Sequence, residues 1–137
     1  MTDILITDDS PLFAKAHAQM LRRAGYHTMH AENGYEALIM AKEKMPDAVL
    51  MDVVMPVMNG FQAVRQFSKD EGLKHIPIIM TSTKAGINDA IWARRQGAAG
   101  YLVKPVVEEQ LLATIRHVLS GTDGFTLSGI WKSPEFS

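Results

Sequence analysis

Five apolar runs divide the chain, and a segment whose apolar residues recur at helical spacing follows each run. The runs lie at residues 4–7, 26–31, 47–55, 76–80 and 100–103. Glycine or proline follows most of the helical segments, as at Gly25, Pro46, Gly97 and Gly121. Five strands alternating with five helices predict a parallel sheet with right-handed crossovers. We therefore predict an α/β, doubly wound, flavodoxin-like (βα)5 fold with a five-stranded sheet in the order 2-1-3-4-5.

The third run carries a single carboxylate, Asp52, near its end. A continuous apolar run of this kind is typical of a strand buried on both faces of a parallel sheet. Burying a lone carboxylate inside such a strand would cost several kcal/mol. Pro56 cannot donate to a strand ladder, so the strand must end shortly before it. We therefore place Asp52 at the carboxyl end of a central strand, where open α/β sheets bind ligands.

Strand one ends at Asp8 and Asp9, and in the predicted order it lies beside the strand that carries Asp52. The carboxylates of Asp8, Asp9 and Asp52 are therefore expected to meet in one crevice. Neighbouring carboxylates repel, and a hard divalent cation relieves that repulsion. Mg2+ suits the site because it takes oxygen ligands, and the Val54 backbone carbonyl is a further candidate ligand. In an alternative interpretation Asp8 and Asp9 only cap the first helix, which leaves Asp52 unexplained.

Two further polar side chains end neighbouring strands of the predicted sheet. Ser82 follows strand four and Lys104 follows strand five, so both point to the same crevice. A carboxylate, a metal, a hydroxyl and an ammonium together suit the transfer of a phosphoryl group. Taken alone, Lys104 would more often be a solvated surface lysine.

Composition narrows the classes of protein that fit. The chain has 137 residues, 47% of them hydrophobic and 21% charged, which is typical of one globular domain. Its net charge of -1 gives no electrostatic indication of a nucleic-acid partner. The absence of cysteine excludes disulfides and thiolate metal sites. With neither a signal-peptide pattern nor an apolar run of about 20 residues, we expect a cytoplasmic domain without membrane insertion.

Five separated motifs follow one another along the chain: Asp8-Asp9-Ser10, Asp52 with Met55-Pro56, Asn59-Gly60, Thr81-Ser82-Thr83, and residues 100–105. Together they resemble the receiver domains of two-component response regulators, over about residues 3–120. The resemblance implies that Asp52 accepts a phosphoryl group from a histidine kinase or phosphotransfer domain. It also implies that Asp8 and Asp9 bind Mg2+.

The phosphoryl-binding residues under this resemblance are Ser82, Thr83 and Lys104. The resemblance also implies a cis peptide bond between Lys104 and Pro105. Tyr101 takes the position of the family's aromatic switch residue. In that scheme Ser82 moves toward the phosphoryl group, and the aromatic ring turns inward to fill the space that Ser82 leaves.

The sequence departs from the commonest receiver pattern beside the predicted site. Ser82 replaces a threonine and keeps the hydroxyl, whereas Thr83 stands where a small alanine is usual. Val54 and Lys84 lie two residues beyond Asp52 and Ser82, at positions that tune the lifetime of the aspartyl phosphate in this family. We therefore expect these side chains to set the rate of hydrolysis.

Two segments, residues 55–66 and 92–98, are similar to PilH-type receivers, which are single-domain regulators of twitching motility by type IV pili. Ordinary chemotaxis-type regulators are the alternative.

About 17 residues follow the last helix, too few for a separate output domain. The signal is therefore expected to leave through the fourth helix, fifth strand and fifth helix, where Trp92, Arg94 and Arg95 are candidate partner contacts. Trp92 could equally pack in the core, with the arginines forming a solvated face.

We place the receiver domain at residues 1–120 and a C-terminal tail at residues 121–137. The tail holds large apolar residues among Gly, Ser and Pro, including Phe125, Ile130, Trp131 and Phe136. Disorder, docking on the domain, a partner-binding peptide and an appended cloning sequence all stay open. The five histidines show no ligand spacing and are expected at the surface or partly buried: His17, His27, His30, His75 and His117.

Three other functions are alternatives to a receiver domain that drives an output. The protein could drain phosphate from a shared kinase instead of driving an output. A Mg2+-dependent phosphatase with an aspartyl intermediate requires the motif Asp-x-Asp-x-Thr on the nucleophile strand. Here Val53 and Val54 follow Asp52, so the second aspartate is absent from this motif. A flavodoxin-like FMN carrier requires a hydroxyl-rich phosphate-binding loop after strand one. This chain has Asp8 and Asp9 there, which would repel a phosphate without a metal.

Overall fold

The computed structural model describes residues 1–122, 124 and 125. The strands are β1 (Asp3–Thr7), β2 (His27–Ala31), β3 (Ala48–Asp52), β4 (Ile78–Ser82) and β5 (Gly100–Val103). The helices are α1 (Pro11–Arg23), α2 (Gly34–Lys44), α3 (Gly60–Lys69), α4 (Ile87–Gln96) and α5 (Glu108–Leu119). All neighbouring strands pair in parallel in the order β2-β1-β3-β4-β5. The predicted flavodoxin-like fold and strand order are therefore confirmed.

The register of the sheet brings the carboxyl ends of the central strands to one level. Thr7 pairs with Met51, and Asp52 pairs with Thr81. Ser82 in turn pairs with Val103, the residue before Lys104. The polar residues that follow these strands therefore line one edge of the sheet.

Two apolar layers cover the sheet. One layer holds buried residues of α1 and α5 against the strands, and the other holds those of α2, α3 and α4. Every residue of β3 is buried, which is why its sequence is apolar without alternation. The carboxylate of Asp52 is consequently the only acidic group on that strand.

Five apolar residues recur at helical spacing along α1, and the structure buries only the last of them: Leu12, Phe13, Ala16, Met20 and Leu21. The buried residues of the helix are Ala14, His17, Ala18 and Leu21. Leu12, in the first turn of α1, is 77% exposed. The expectation that the histidines lie at the surface or partly buried is wrong for His17, which is 2% exposed.

The loop between β3 and α3 contains a strained turn at Val57. The Met58 N–H donates to the Pro56 carbonyl over 2.7 Å, and Val57 between them has φ +69°. This is the γ-turn with positive φ, which is rare and strained. A β-branched residue is a poor occupant of that region. Because Val57 is 82% exposed, packing does not explain the choice of valine.

We expect Val57→Asn to raise the free energy of unfolding by about 1 kcal/mol, because asparagine tolerates a positive φ better than valine. Urea denaturation measures the change. Val54→Asn is the matched control, since Val54 is also exposed but does not have a positive φ. An equal effect of the two substitutions would show that lost surface hydrophobicity, and not turn strain, is responsible.

The beginning of the predicted tail packs on the domain. The Gly124 N–H donates to the Ala99 carbonyl over 3.0 Å, and Phe125 is 1% exposed within the α2–α3–α4 layer. Asp123 and residues 126–137 lie outside the described residues, and so do the interpretations of the tail at Ile130, Trp131 and Phe136.

Candidate functional site

Asp8, Asp9 and Asp52 meet at the carboxyl edge of the sheet. One oxygen from each carboxylate can be chosen so that the three lie within 4.8 Å of one another. Asp8 and Asp52 are buried, whereas Asp9 is exposed. The Ser10 N–H donates to Asp8 Oδ1 over 2.9 Å, which fixes that carboxylate at the start of α1. The group offers the hard oxygen donors that a divalent cation such as Mg2+ takes.

Lys104 lies in the same crevice with its side chain buried. Its Nζ donates to Asp8 Oδ2 over 2.7 Å and to Asp52 Oδ1 over 2.9 Å. The peptide bond between Lys104 and Pro105 is cis. Burial raises the pKa of the Asp52 carboxyl, the Lys104 ammonium opposes that rise, and Asp8 adds to it. One cation therefore bridges two buried carboxylates.

A hydroxyl and three exposed side chains lie at or just after the ends of β3 and β4. Ser82 is buried, and its Oγ accepts a hydrogen bond from the Lys84 N–H over 3.1 Å. The side chains of Thr83, Lys84 and Val54 are exposed. The loop after β4 therefore presents a buried hydroxyl followed by exposed side chains.

Tyr101 lies inward, behind the β4–α4 loop. It is almost fully buried, and its hydroxyl donates to the Lys84 carbonyl over 2.6 Å. Burial raises the pKa of the Tyr101 phenol. Because the same Lys84 backbone bonds to Ser82 Oγ, the ring and the Ser82 hydroxyl are joined through one residue.

Comparison with known proteins decides the family. The model of the response regulator receiver domain matches residues 4–116. The chain belongs to this family. Receiver domains bind Mg2+ at an acidic pocket, and Asp8, Asp9 and Asp52 form a group that could hold the ion. Among the described residues, the receiver domain has no helix long and apolar enough to cross a bilayer.

Several relatives of this receiver domain are similar over most of their length. Protein PilH of Pseudomonas aeruginosa is 49% identical over 121 residues, which is 88% of this chain and 100% of that protein. The polar-differentiation response regulator DivK of Brucella anthropi is 32% identical, covering 85% of this chain and 94% of DivK. The structure of chemotaxis protein CheY4 of Vibrio cholerae matches with a TM-score of 0.80 at 36% identity, covering 86% and 98% of the two chains.

Two residues of α1 that the sequence analysis missed complete the surroundings of Lys104 in this receiver domain. The Lys104 Nζ lies 4.2 Å from the centre of the Phe13 ring, within the range of a cation–π contact. The Phe13 ring centre is 6.1 Å from that of His17. Phe13 and His17 are neighbours on α1 at i,i+4 spacing, but no local pattern indicates the contact of Phe13 with Lys104, which is about 90 positions away.

His17 predicts an acid-sensitive component of the stability. Burial, and then the Lys104 ammonium, lower the pKa of the His17 imidazole, while Asp8 opposes them. The folded state therefore binds fewer protons than the unfolded state, where the pKa is about 6.5. The free energy of unfolding should consequently fall as the pH drops from 7 through that value.

Urea denaturation across this pH range, compared between the unmodified chain and His17→Leu, isolates the contribution of His17. The variant should lose this part of the pH dependence. His75→Leu is the matched control because His75 is exposed. If the pH dependence of His17→Leu matches that of the unmodified protein, His17 does not carry the effect.

Proposed function

We propose that this receiver domain accepts a phosphoryl group on Asp52 from a phosphohistidine, in a Mg2+-dependent reaction. The observation that supports this most is the Lys104 ammonium, held between Asp8 and Asp52 in a crevice lined by three carboxylates. Such an arrangement provides a nucleophile and a cation at one point of a buried strand end.

The metal would be held by Asp8, Asp9 and Asp52 together with the Val54 backbone carbonyl. The carboxylates fit a hard cation because their oxygens converge and one of them is exposed to solvent. Bound Mg2+ would neutralise charge that accumulates on the transferred phosphoryl group.

The residues of the crevice then take separate roles. An Asp52 carboxylate oxygen attacks the phosphorus, a P–O bond forms, and the P–N bond breaks so that the imidazole leaves. Lys104 shifts from its two carboxylates to pair with the phosphoryl oxygens, and the Ser82 hydroxyl and Thr83 bind the same group. When the Ser82 hydroxyl turns to the phosphoryl group, it loses its hydrogen bond from the Lys84 N–H. The loop is then held less tightly at Lys84, whose carbonyl is bonded to the Tyr101 hydroxyl. This chain of bonds would couple phosphorylation to the switch residue.

The exposed side chains near the crevice suit a role in timing. Water must reach the aspartyl phosphate for it to hydrolyse, and Val54 and Lys84 are both exposed. We propose that they set the phosphate lifetime, an apolar group and a cation acting together on the approach of water.

The output surface is proposed at α4, β5 and α5. Trp92 is 48% exposed and packs edge-on against Phe61, so it lies outside the core. Arg94 and Arg95 are exposed on the same helix. The 49% identity with PilH supports a PilH-type role, and we place the chain in twitching motility by type IV pili with a downstream partner related to the pilus motor. Draining phosphate from a shared kinase is the alternative output.

Mass spectrometry after incubation with acetyl phosphate tests the proposal. We expect one added phosphoryl group when Mg2+ is present, and none in EDTA or in Asp52→Asn. Asp47→Asn is the matched control, because Asp47 lies just before the opposite end of the same strand and is exposed. Stoichiometric labelling of Asp52→Asn would contradict the proposal, and repeated turnover of a phosphomonoester would favour a phosphatase. Phosphotransfer profiling against purified histidine kinases then identifies the donor.

A further inference from the structure

A cleft separate from the carboxylate crevice lies between α1 and the edge strand β2. It has a volume of about 390 Å³. One stripe of α1 forms one wall and two side chains of β2 contribute to the other: Ala14, Lys15, Ala18 and Arg22, with Thr28 and His30. The small side chains of Ala14 and Ala18 leave space between helix and strand that larger residues would fill. A volume of this size falls within the range of small-molecule sites.

The lining of this cleft combines an apolar floor with a cationic rim. Ile6, Ala14 and Ala18 are buried and apolar. In the described part of the chain, the ionisable side chains that line the cleft are Lys15, Arg22 and His30, and none is acidic. The Arg22 Nε donates to Thr28 Oγ1 over 2.9 Å, which holds the guanidinium beside the cleft.

His30 connects the cleft to the carboxylate crevice. Its Nε2 lies 2.8 Å from the Asp8 carbonyl oxygen. A carbonyl oxygen only accepts hydrogen bonds, so this nitrogen carries the proton and donates it. The wall of the cleft is thus bonded to the backbone of a residue that would hold Mg2+.

We propose that this cleft binds an amphipathic organic anion, with its apolar body on Ala14 and Ala18 and its charge at Lys15 and Arg22. A ligand in the cleft changes the position or mobility of His30. Because His30 is bonded to the Asp8 carbonyl, this change alters the Mg2+ affinity of the crevice. This second part rests on the proposed function, whereas binding in the cleft does not. Coupling between the two sites must be reciprocal.

Titration with naphthalene-2-sulfonate, followed by amide chemical shifts in NMR spectra, tests the binding. The shifts should centre on α1 and β2, and the neutral analogue 2-naphthol should bind at least about tenfold more weakly, because it lacks the charge-assisted contacts. Lys15→Glu should weaken the sulfonate by a similar factor, and Ala18→Leu should block it by filling the cleft. Lys44→Glu makes the same charge change on α2, which covers the other face of the sheet, and should change affinity less than about twofold.

Three outcomes would overturn the site: shifts centred elsewhere, equal binding of 2-naphthol, or equal weakening by Lys15→Glu and Lys44→Glu. Mg2+ titration by calorimetry, with and without saturating naphthalene-2-sulfonate, tests the coupling. We expect at least about a fivefold change in Mg2+ affinity, which His30→Leu should abolish when both chains are measured at a sulfonate concentration that saturates each of them. Coupling that persists in His30→Leu, or none in the unmodified chain, overturns the link through Asp8. A chain that binds the sulfonate but no Mg2+ contradicts the proposed function and leaves the cleft established.

Discussion

Lys104→Met should lower the free energy of unfolding by about 3 kcal/mol at neutral pH in the absence of divalent cations. The Lys104 Nζ bonds to two carboxylates, and the side chain is 4% exposed. Removing the ammonium leaves Asp8 and Asp52 buried against each other without a counter-charge. Methionine retains the length and apolar contacts of the lysine stem, so the loss measures charge more than packing.

The stability lost in Lys104→Met should depend on pH through the Asp52 carboxyl. Burial already raises the pKa of the Asp52 carboxyl, and Lys104 opposes that rise. Without Lys104 the pKa of this carboxyl in the folded state rises further above its unfolded value. The destabilisation should therefore be present at neutral pH and should shrink as the pH falls and Asp52 takes a proton.

Urea denaturation with and without Mg2+ measures the effect. Mg2+ should restore more stability to Lys104→Met than to the unmodified chain, because a metal can replace the lost cation. The double variant Lys104→Met, Asp8→Asn should recover part of the loss, since it removes one of the facing carboxylates. Lys74→Met is the control: Lys74 pairs with exposed Glu71, and that pair should contribute less than about 1 kcal/mol. Equal losses from Lys104→Met and Lys74→Met would contradict the buried-bridge interpretation.

The sequence contains enough local information to predict the fold and the meeting of the carboxylates. Apolar runs bounded by glycine and proline mark the strands, and parallel pairing then brings Asp8 and Asp52 to one edge. That inference needs only the order of the strands, because in a parallel sheet the carboxyl ends lie together. The rotamer of Lys104 is not needed for it.

The contacts that the sequence does not predict depend on side-chain packing between distant elements. Phe13 occupies a position on α1 that could as well pack on the sheet, and only the structure places its ring beside Lys104. His17 has the polarity of a surface residue, yet it shares the buried face of α1 with Ala14, Ala18 and Leu21. The same small alanines look like ordinary core residues, although they leave the cleft beside β2.

Residues after the predicted domain boundary contribute to the core, and we propose that the receiver domain extends as far as Phe125. A boundary at residue 120 follows from Gly121 and the Gly, Ser and Pro composition after it. The structure nevertheless places Phe125 in the same core layer as Tyr101, with the Arg94 guanidinium 5.3 Å from its ring centre. Gly121 and Gly124 both precede Phe125, and glycines in this arrangement predict a loop and not a core contact.

Phe125→Ala should consequently lower the free energy of unfolding by about 3 kcal/mol, as expected for a fully buried phenylalanine. Gly124→Ala should also destabilise, because a Cβ there would lie 3.0 Å from both the Ala99 carbonyl oxygen and Val118 Cγ1. Urea denaturation measures both losses. Leu119→Ala is the matched control, since Leu119 is 37% exposed and its truncation removes less buried surface.

A stop codon after Gly121 should destabilise at least as much as Phe125→Ala, because it also removes the bond from Gly124 to Ala99. A loss below about 1 kcal/mol in both variants would return the boundary to residue 120. Because Phe125 shares a core layer with Tyr101, its removal should also loosen the packing around the Tyr101 ring. Faster hydrogen exchange at β5 in Phe125→Ala than in Leu119→Ala would show that the segment after α5 supports the surface through which we propose the signal leaves.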